Sequence, residues 1–109
     1  MRIKEINGDF IRFDNGMMIT YDYQQECYEN NYADFKQIEN LAYDIDFNEK
    51  LIFERVKDSG FRFGSIGTPM FFIPCYSRQN GYYSSNVDIY FNGAEVLNVS
   101  GEWIYEWFV

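Results

Sequence analysis

The sequence predicts an α+β fold: a predominantly antiparallel β-sheet built of meander hairpins, with one short helix packed on it. Short segments in which apolar and polar residues alternate recur along the chain, as in half-buried strands. Asn-Gly pairs favour tight hairpin turns, and four of them begin at residues 7, 15, 80 and 92. Few windows have helical spacing. The 109 residues fit a single domain spanning residues 1–109.

The chain is predicted to open with a three-stranded meander. Residues 2–6 and 9–13 are separated by Asn7-Gly8, and a third strand over residues 17–23 follows Asn15-Gly16. Both residues of an Asn-Gly pair accept positive φ, so each pair fits a type I′ turn. These three strands are expected to pair in chain order.

The one helix is predicted in the acidic stretch that follows the meander. Phe35, Ile38 and Leu41 recur at helical spacing, with Ala42 beside them. Asp34 and Asn31 are the alternative N-caps, because a short polar side chain accepts a hydrogen bond from the first turn. We expect one or two amphipathic turns lying on the sheet.

The second half of the chain reads as further strands and turns, with strands predicted over residues 49–57, 61–63, 70–73, 82–91, 94–99 and 103–109. Pro69 and Pro74 bound the run 70–73, which favours a short or edge strand. The last strand carries Trp103 and Tyr105 on one face. We expect it to dock on the sheet; the alternative is an exposed edge that pairs with a second copy.

The charge and the aromatic content point to binding a protein. Seventeen acids against nine bases give a net charge of −8, which argues against direct binding of nucleic acid and against anionic membranes. It allows a partner with a basic surface, or solubility alone. Aromatic residues make up 21% of the chain, more than a small core can bury, so some tyrosines are expected at an interface.

Location and chemistry are bounded by what the sequence lacks. No apolar run approaches the roughly 20 residues of a membrane helix, and residues 1–5 lack the apolar core of a signal peptide; a cytoplasmic location is expected. There is no His to serve as a general base. Cys27 lies between Glu26 and Glu29, whose charges raise a thiol pKa. No catalytic residue, metal site or cofactor is predicted, and a small metal-dependent or thiol enzyme remains an alternative.

Two stretches supply the candidate binding residues. Residues 22–49 hold eight acids and one base, interleaved with tyrosines; they form either a solvated face or a mimic of a nucleic-acid backbone. Residues 78–86 join a tight turn to two adjacent tyrosines and small polar residues; they form either a plain hairpin or a binding loop. The candidates from both stretches are Asp22, Glu26, Glu29, Tyr32, Asp34, Arg78, Asn80, Tyr82 and Tyr83.

Two motifs carry a family resemblance. They are Tyr-Gln-Gln-Glu-Cys-Tyr-Glu at residues 23–29 and Tyr-Ser-Arg-Gln-Asn-Gly-Tyr-Tyr-Ser-Ser-Asn-Val-Asp at residues 76–88. Together they resemble an uncharacterised family of small phage and bacterial proteins, with an early Gln-Asp-Cys-Cys-Glu-like motif and a late Ser-Asn-Gly-Tyr-Tyr-Ser motif. The match spans about residues 8–91. Glu26 departs from the shorter acid, and Tyr28 stands where the second Cys would be.

The resemblance implies a phage or mobile-element origin and no assigned activity. Small phage accessory proteins often bind a host protein, and some inhibit CRISPR or other defence systems. The sequence therefore predicts an acidic, phage-type accessory protein, a monomer or homodimer in the host cytoplasm. We expect it to bind a basic host protein that handles nucleic acid or serves in defence. A homodimeric structural component is the remaining alternative.

Overall fold

The computed structural model describes residues 1–26, 29–81 and 83–105 and consists mainly of β-strands. The strands within these ranges are β1 Ile3–Ile6, β2 Phe10–Phe13, β3 Met18–Asp22, β4 Asn30–Ala33, β5 Ile52–Val56, β6 Gly60–Gly64, β7 Phe71–Gln79, β8 Asn86–Phe91, β9 Ala94–Ser100 and β10 Glu102–Tyr105. They form two sheets. The first has the order β1-β2-β3-β8-β9, and the second has the order β10-β7-β6-β5, with β4 also paired to β7.

Pairing in the two sheets is antiparallel, except that β10 runs parallel to β7. The opening meander is confirmed, since β1 pairs with β2 and β2 with β3. The last strand pairs with β7 over residues 102–105, as predicted. The expectation that its large aromatic side chains are covered is wrong for Trp103 and Tyr105, which are each 55% exposed. The predicted continuation of this strand over residues 106–109 lies outside the described residues.

The two sheets share one apolar core. Ile19 and Ile89 come from the first sheet, Phe63 and Ile73 from the second, and all four are fully buried. Phe47, in the loop before β5, joins the two sides. Its ring lies 5.8 Å from the ring of Phe13 in the first sheet and 5.7 Å from that of Phe63 in the second.

The predicted helix is wrong in kind and extent, so the fold is mainly β. One 3-10 turn covers Phe35–Ile38, and Asp34 before it makes no side-chain capping hydrogen bond. Phe35, Ile38 and Ala42 reach the core, whereas Leu41 is 67% exposed. The 3-10 turn, followed by further turns over residues 39–44, buries these three side chains without an α-helix. Across the described ranges, no helix is long and apolar enough to cross a membrane.

The Asn-Gly turns differ from one another. Asn92 and Gly93 both have positive φ, 51° and 84°, as a type I′ turn requires. Gly16 has positive φ but Asn15 does not. Asn7 instead accepts hydrogen bonds through Oδ1 from the main-chain N–H groups of residues 9 and 10. An Asn side chain that closes a turn in this way needs no positive φ.

The prediction that Pro74 ends a strand is also wrong. Strand β7 runs for nine residues through Pro74, which lies where the strand changes partners. Pairing with β6 ends at Pro74, and pairing with β4 begins at Cys75. Because Pro has no N–H, this junction is a position where a strand tolerates it. Strand β8 likewise begins at Asn86 and not at residue 82.

Phe47→Ala tests the bridge between the sheets. Loss of a fully buried aromatic ring is expected to lower the free energy of unfolding by about 3–5 kcal/mol. Leu41→Ala, in the same connecting segment, is the control and should change it by less than about 0.5 kcal/mol. Urea unfolding followed by Trp fluorescence measures both. Equal losses would contradict the assignment of Phe47 to the core and Leu41 to the surface.

Candidate binding surfaces

The last part of β7 is flanked on both sides. Strand β4 pairs with residues 75–78 and β10 pairs with residues 76–79. Side chains alternate along a strand, so Tyr76 and Arg78 point to one face of this three-stranded patch, and Cys75, Ser77 and Gln79 point to the other. The burial agrees, because those three inward residues are fully buried.

A buried polar network lies on the inner face. The Ser77 hydroxyl donates to Asn31 Oδ1 at 2.5 Å, and Gln79 Nε2 donates to Ser77 Oγ at 2.6 Å. All three residues are at most 1% exposed. Buried polar groups cost free energy unless they are hydrogen-bonded, so this network fixes how β4 lies on β7.

The same network holds the loop that leads into β8. Asn31 Nδ2 donates to the carbonyl oxygens of Ser84 and Asn86, at 2.9 and 3.2 Å. The main-chain N–H of Tyr83 donates to Gln79 Oε1 at 2.7 Å. The loop conformation is therefore set by side chains of β4 and β7.

The outer face carries two tyrosines with a carboxylate on each side. Tyr32 lies opposite Tyr76 in the β4–β7 register, with ring centroids 5.6 Å apart and ring planes at 41°. Glu102 in β10 is paired with Tyr76 in β7, and Asp34 directly follows β4. Burial, together with the charges of Asp34 and Glu102, raises the pKa of Tyr76. We call these four residues the tyrosine–carboxylate face.

A separate polar cavity lies between the β3–β4 connection and strands β8 and β9. Its volume is about 300 Å³, and its lining residues are Gln24, Glu26, Ser84, Asn86, Asp88 and Asn98. Asn98 Nδ2 donates to Asp88 at 2.6 Å. Asp22 lies opposite Asp88 in the β3–β8 register, so two like charges meet at this end of the sheet.

Four of the five residues predicted in the first stretch lie at or beside the two surfaces. Glu26 lines the cavity and Asp22 lies beside Asp88, while Tyr32 and Asp34 belong to the tyrosine–carboxylate face. Glu29 was expected to contribute a surface charge, but it is 3% exposed. Its carboxylate accepts a hydrogen bond from the main-chain N–H of Glu26. Glu29 thus shapes the β3–β4 connection, and its prediction as a contact residue is wrong.

The predicted residues of the second stretch have different surroundings. Arg78 is exposed on the outer face, opposite Asn30. Asn80 is half-buried and its Oδ1 is buried. Tyr83 is half-buried in the loop that Gln79 holds. The prediction for Tyr82 lies outside the described residues.

Sequence reasoning missed Tyr76 and Glu102 on the face, and Asp88 and Asn98 at the cavity. A signal for Tyr76 existed: residues 75–79 alternate between small or polar inward residues and the larger Tyr76 and Arg78. The predicted strand over residues 70–73 stopped before Pro74, so the alternation over residues 75–79 was not assigned to a strand. Nothing in the sequence indicated that Glu102 would lie beside Tyr76, since a parallel pairing has no local signature.

The cysteine in the described part of the chain is not suited to nucleophilic chemistry. Cys75 is fully buried, and burial raises the pKa of its thiol to about 12. The thiolate is the reactive species. Cys27 lies outside the described residues. Within the described ranges, no group of three or more Cys, Asp or Glu side chains could hold a metal ion.

Comparisons with protein-family models, with curated proteins and with solved structures found no match to this chain. The resemblance to the phage and bacterial family therefore stays a prediction.

Asn31→Ala tests the buried network. The change leaves the Ser77 hydroxyl and two loop carbonyl groups without their partner, and should destabilise the protein by about 1–3 kcal/mol. Asn30→Ala is the matched control, because Asn30 is the exposed neighbour in the same strand, and its effect should stay below about 0.5 kcal/mol. Chemical unfolding compares the two, and similar effects would contradict the network.

Cys27→Ser isolates the thiol of Cys75, because the chain has two cysteines. The native variant should not react with a thiol reagent at pH 8, since the pKa of Cys75 is about 12 and the side chain is inaccessible. In denaturant the same thiol should react completely. Fast reaction of the native protein would contradict the burial of Cys75.

Proposed function

We propose that this protein binds another protein that presents a basic surface, and that the tyrosine–carboxylate face makes the contact. The observation that carries the proposal is the pair of adjacent rings of Tyr32 and Tyr76, with Asp34 and Glu102 on either side. None of these four residues alone indicates this function, but their arrangement on one face suits a cationic side chain.

The chemistry of the face matches Arg or Lys. A cation over a tyrosine ring gains about 0.5–1 kcal/mol at an exposed site and more when water is excluded. A carboxylate beside the ring adds charge-assisted hydrogen bonds. Tyrosine is enriched at interface centres because its ring buries apolar area while its hydroxyl stays hydrogen-bonded. The face therefore offers both buried area and charge to a basic partner.

The net charge of −8 favours the same kind of partner. A field of one sign accelerates association with the opposite charge and makes it sensitive to salt. More specifically, the proposed partner is a host protein that handles nucleic acid or serves in defence. This acidic surface then occupies the basic groove of that partner. The charge and the predicted phage origin support this more specific proposal.

The experiment first captures partners from a nuclease-treated lysate of the candidate host and elutes them with a salt gradient. The affinity of a purified partner is then measured for the double variant Asp34→Asn/Glu102→Gln. Both substitutions preserve shape while removing two charges. Binding is expected to weaken by about 1–2 kcal/mol, roughly 5–30-fold in Kd.

The matched control is Glu39→Gln/Glu49→Gln, which removes two charges from residues outside the face. This control should bind within about twofold of the unmodified protein. Equal weakening by both double variants would reduce the effect to overall charge and contradict the assignment of the face. Capture of partners that lack any basic surface would contradict the proposal itself.

A further inference from the structure

The polar cavity differs from the tyrosine–carboxylate face in position and in lining, and we infer that it binds a guanidinium group. All its lining residues are polar. Glu26 and Asp88 supply carboxylates, Ser84 supplies a hydroxyl, and Gln24, Asn86 and Asn98 supply amide groups. No Lys or Arg is among the lining residues. The two carboxylates, with no cation of the chain among the lining residues, favour a ligand that donates hydrogen bonds and carries positive charge.

A second observation points to a cation independently of the cavity walls. Asp22 and Asp88 lie directly opposite each other on neighbouring strands, and such like-charge pairs destabilise a sheet. Tyr90 lies two residues after Asp88 on the same face of β8. Desolvation, together with the charges of Asp88, Glu95 and Asp22, raises the pKa of Tyr90. A bound cation would relieve this concentration of negative charge.

The side of the cavity formed by β8 and β9 is organised before any ligand arrives, whereas Gln24 and Glu26 on the other side are exposed. Asn98 Nδ2 holds Asp88 at 2.6 Å, which orients one carboxylate oxygen. The Asn86 main-chain N–H donates to Ser84 Oγ at 3.1 Å, and Asn31 from the buried network binds the carbonyl groups of both residues. Groups fixed in advance lose little conformational entropy on binding, so they favour a specific ligand.

The geometry favours guanidinium over other donors. Guanidinium presents five N–H groups in one plane and is weakly hydrated, whereas an ammonium is compact and strongly hydrated. Two carboxylate residues and three amide residues around a cavity of about 300 Å³ suit the planar group, which can bind a carboxylate through two parallel hydrogen bonds. No aromatic ring is among the lining residues to stack on a sugar.

A guanidinium group has two sources, a free arginine-like small molecule or an arginine side chain of a protein. The probes are therefore free L-arginine and N-acetyl-L-arginine amide, which imitates an arginine within a protein chain. The amide of N-acetyl-L-citrulline has nearly the same shape but no charge. Isothermal titration calorimetry measures each probe on the full chain.

Either arginine probe is expected to bind roughly tenfold or more tightly than the citrulline amide. Tighter binding of free arginine assigns the cavity to a small molecule, and tighter binding of the capped amide assigns it to a protein side chain. Asp88→Asn and Glu26→Gln should each weaken binding roughly tenfold. Glu49→Gln removes one charge outside the cavity and should leave binding unchanged.

Asp88→Asn keeps an Oδ1 acceptor for Asn98 and removes the repulsion from Asp22, so its melting temperature should not fall. Glu26→Gln is a second variant, because the contact of residue 26 with Glu29 uses the main-chain N–H. Equal binding of the citrulline amide, or unchanged binding by both folded variants, would overturn the inference. The variant Asp34→Asn/Glu102→Gln should bind arginine normally, so the two proposals fail separately.

Discussion

The hydrogen bond from Ser77 to Asn31 is the contact on which both proposed binding surfaces depend. It joins β7 to β4 in a site with no access to water, where an unmade hydrogen bond would be costly. Through Asn31 it also fixes the carbonyl groups of Ser84 and Asn86, and with them the start of β8. The tyrosine–carboxylate face lies on the other side of the same strands. One wall of the polar cavity is formed by the loop residues that the network holds.

This arrangement follows from the two-residue period of a β-strand. Along β7, the inward Ser77 and Gln79 make the network, while the outward Tyr76 is half-buried beside Tyr32. The strand can serve both roles because Pro74 ends its pairing with β6 and leaves its last residues to β4 and β10. A shift of register by one residue would exchange the two faces, and the network resists that shift because its partners would be buried without hydrogen bonds.

The sequence predicted what local periodicity controls. The meander over β1 to β3 was found because its alternation and turns lie within about twenty residues. The helix was not found correctly, because Phe35 and Ile38 are three residues apart, a spacing that a 3-10 turn satisfies as well as an α-helix does. Glu29 was placed on the surface because its charge favours solvent, and the sequence did not reveal that a main-chain donor would cover its carboxylate. The face and the cavity both join residues far apart in the chain, so no local pattern could predict them.

Net charge does not distinguish the acids of the two proposed binding surfaces from the acids elsewhere in the chain. Glu39 and Glu49 contribute to the total of −8 as much as Asp34 and Asp88 do. The difference lies in what surrounds each carboxylate. Asp34 lies near two contacting tyrosine rings, and Asp88 is held by an amide at the edge of a cavity that contains further acceptors. A cation gains from a carboxylate in proportion to how well that group is oriented and how little water remains around it. Structural context, and not acidic composition, is therefore what distinguishes the two proposed binding surfaces from the other acidic parts of the chain.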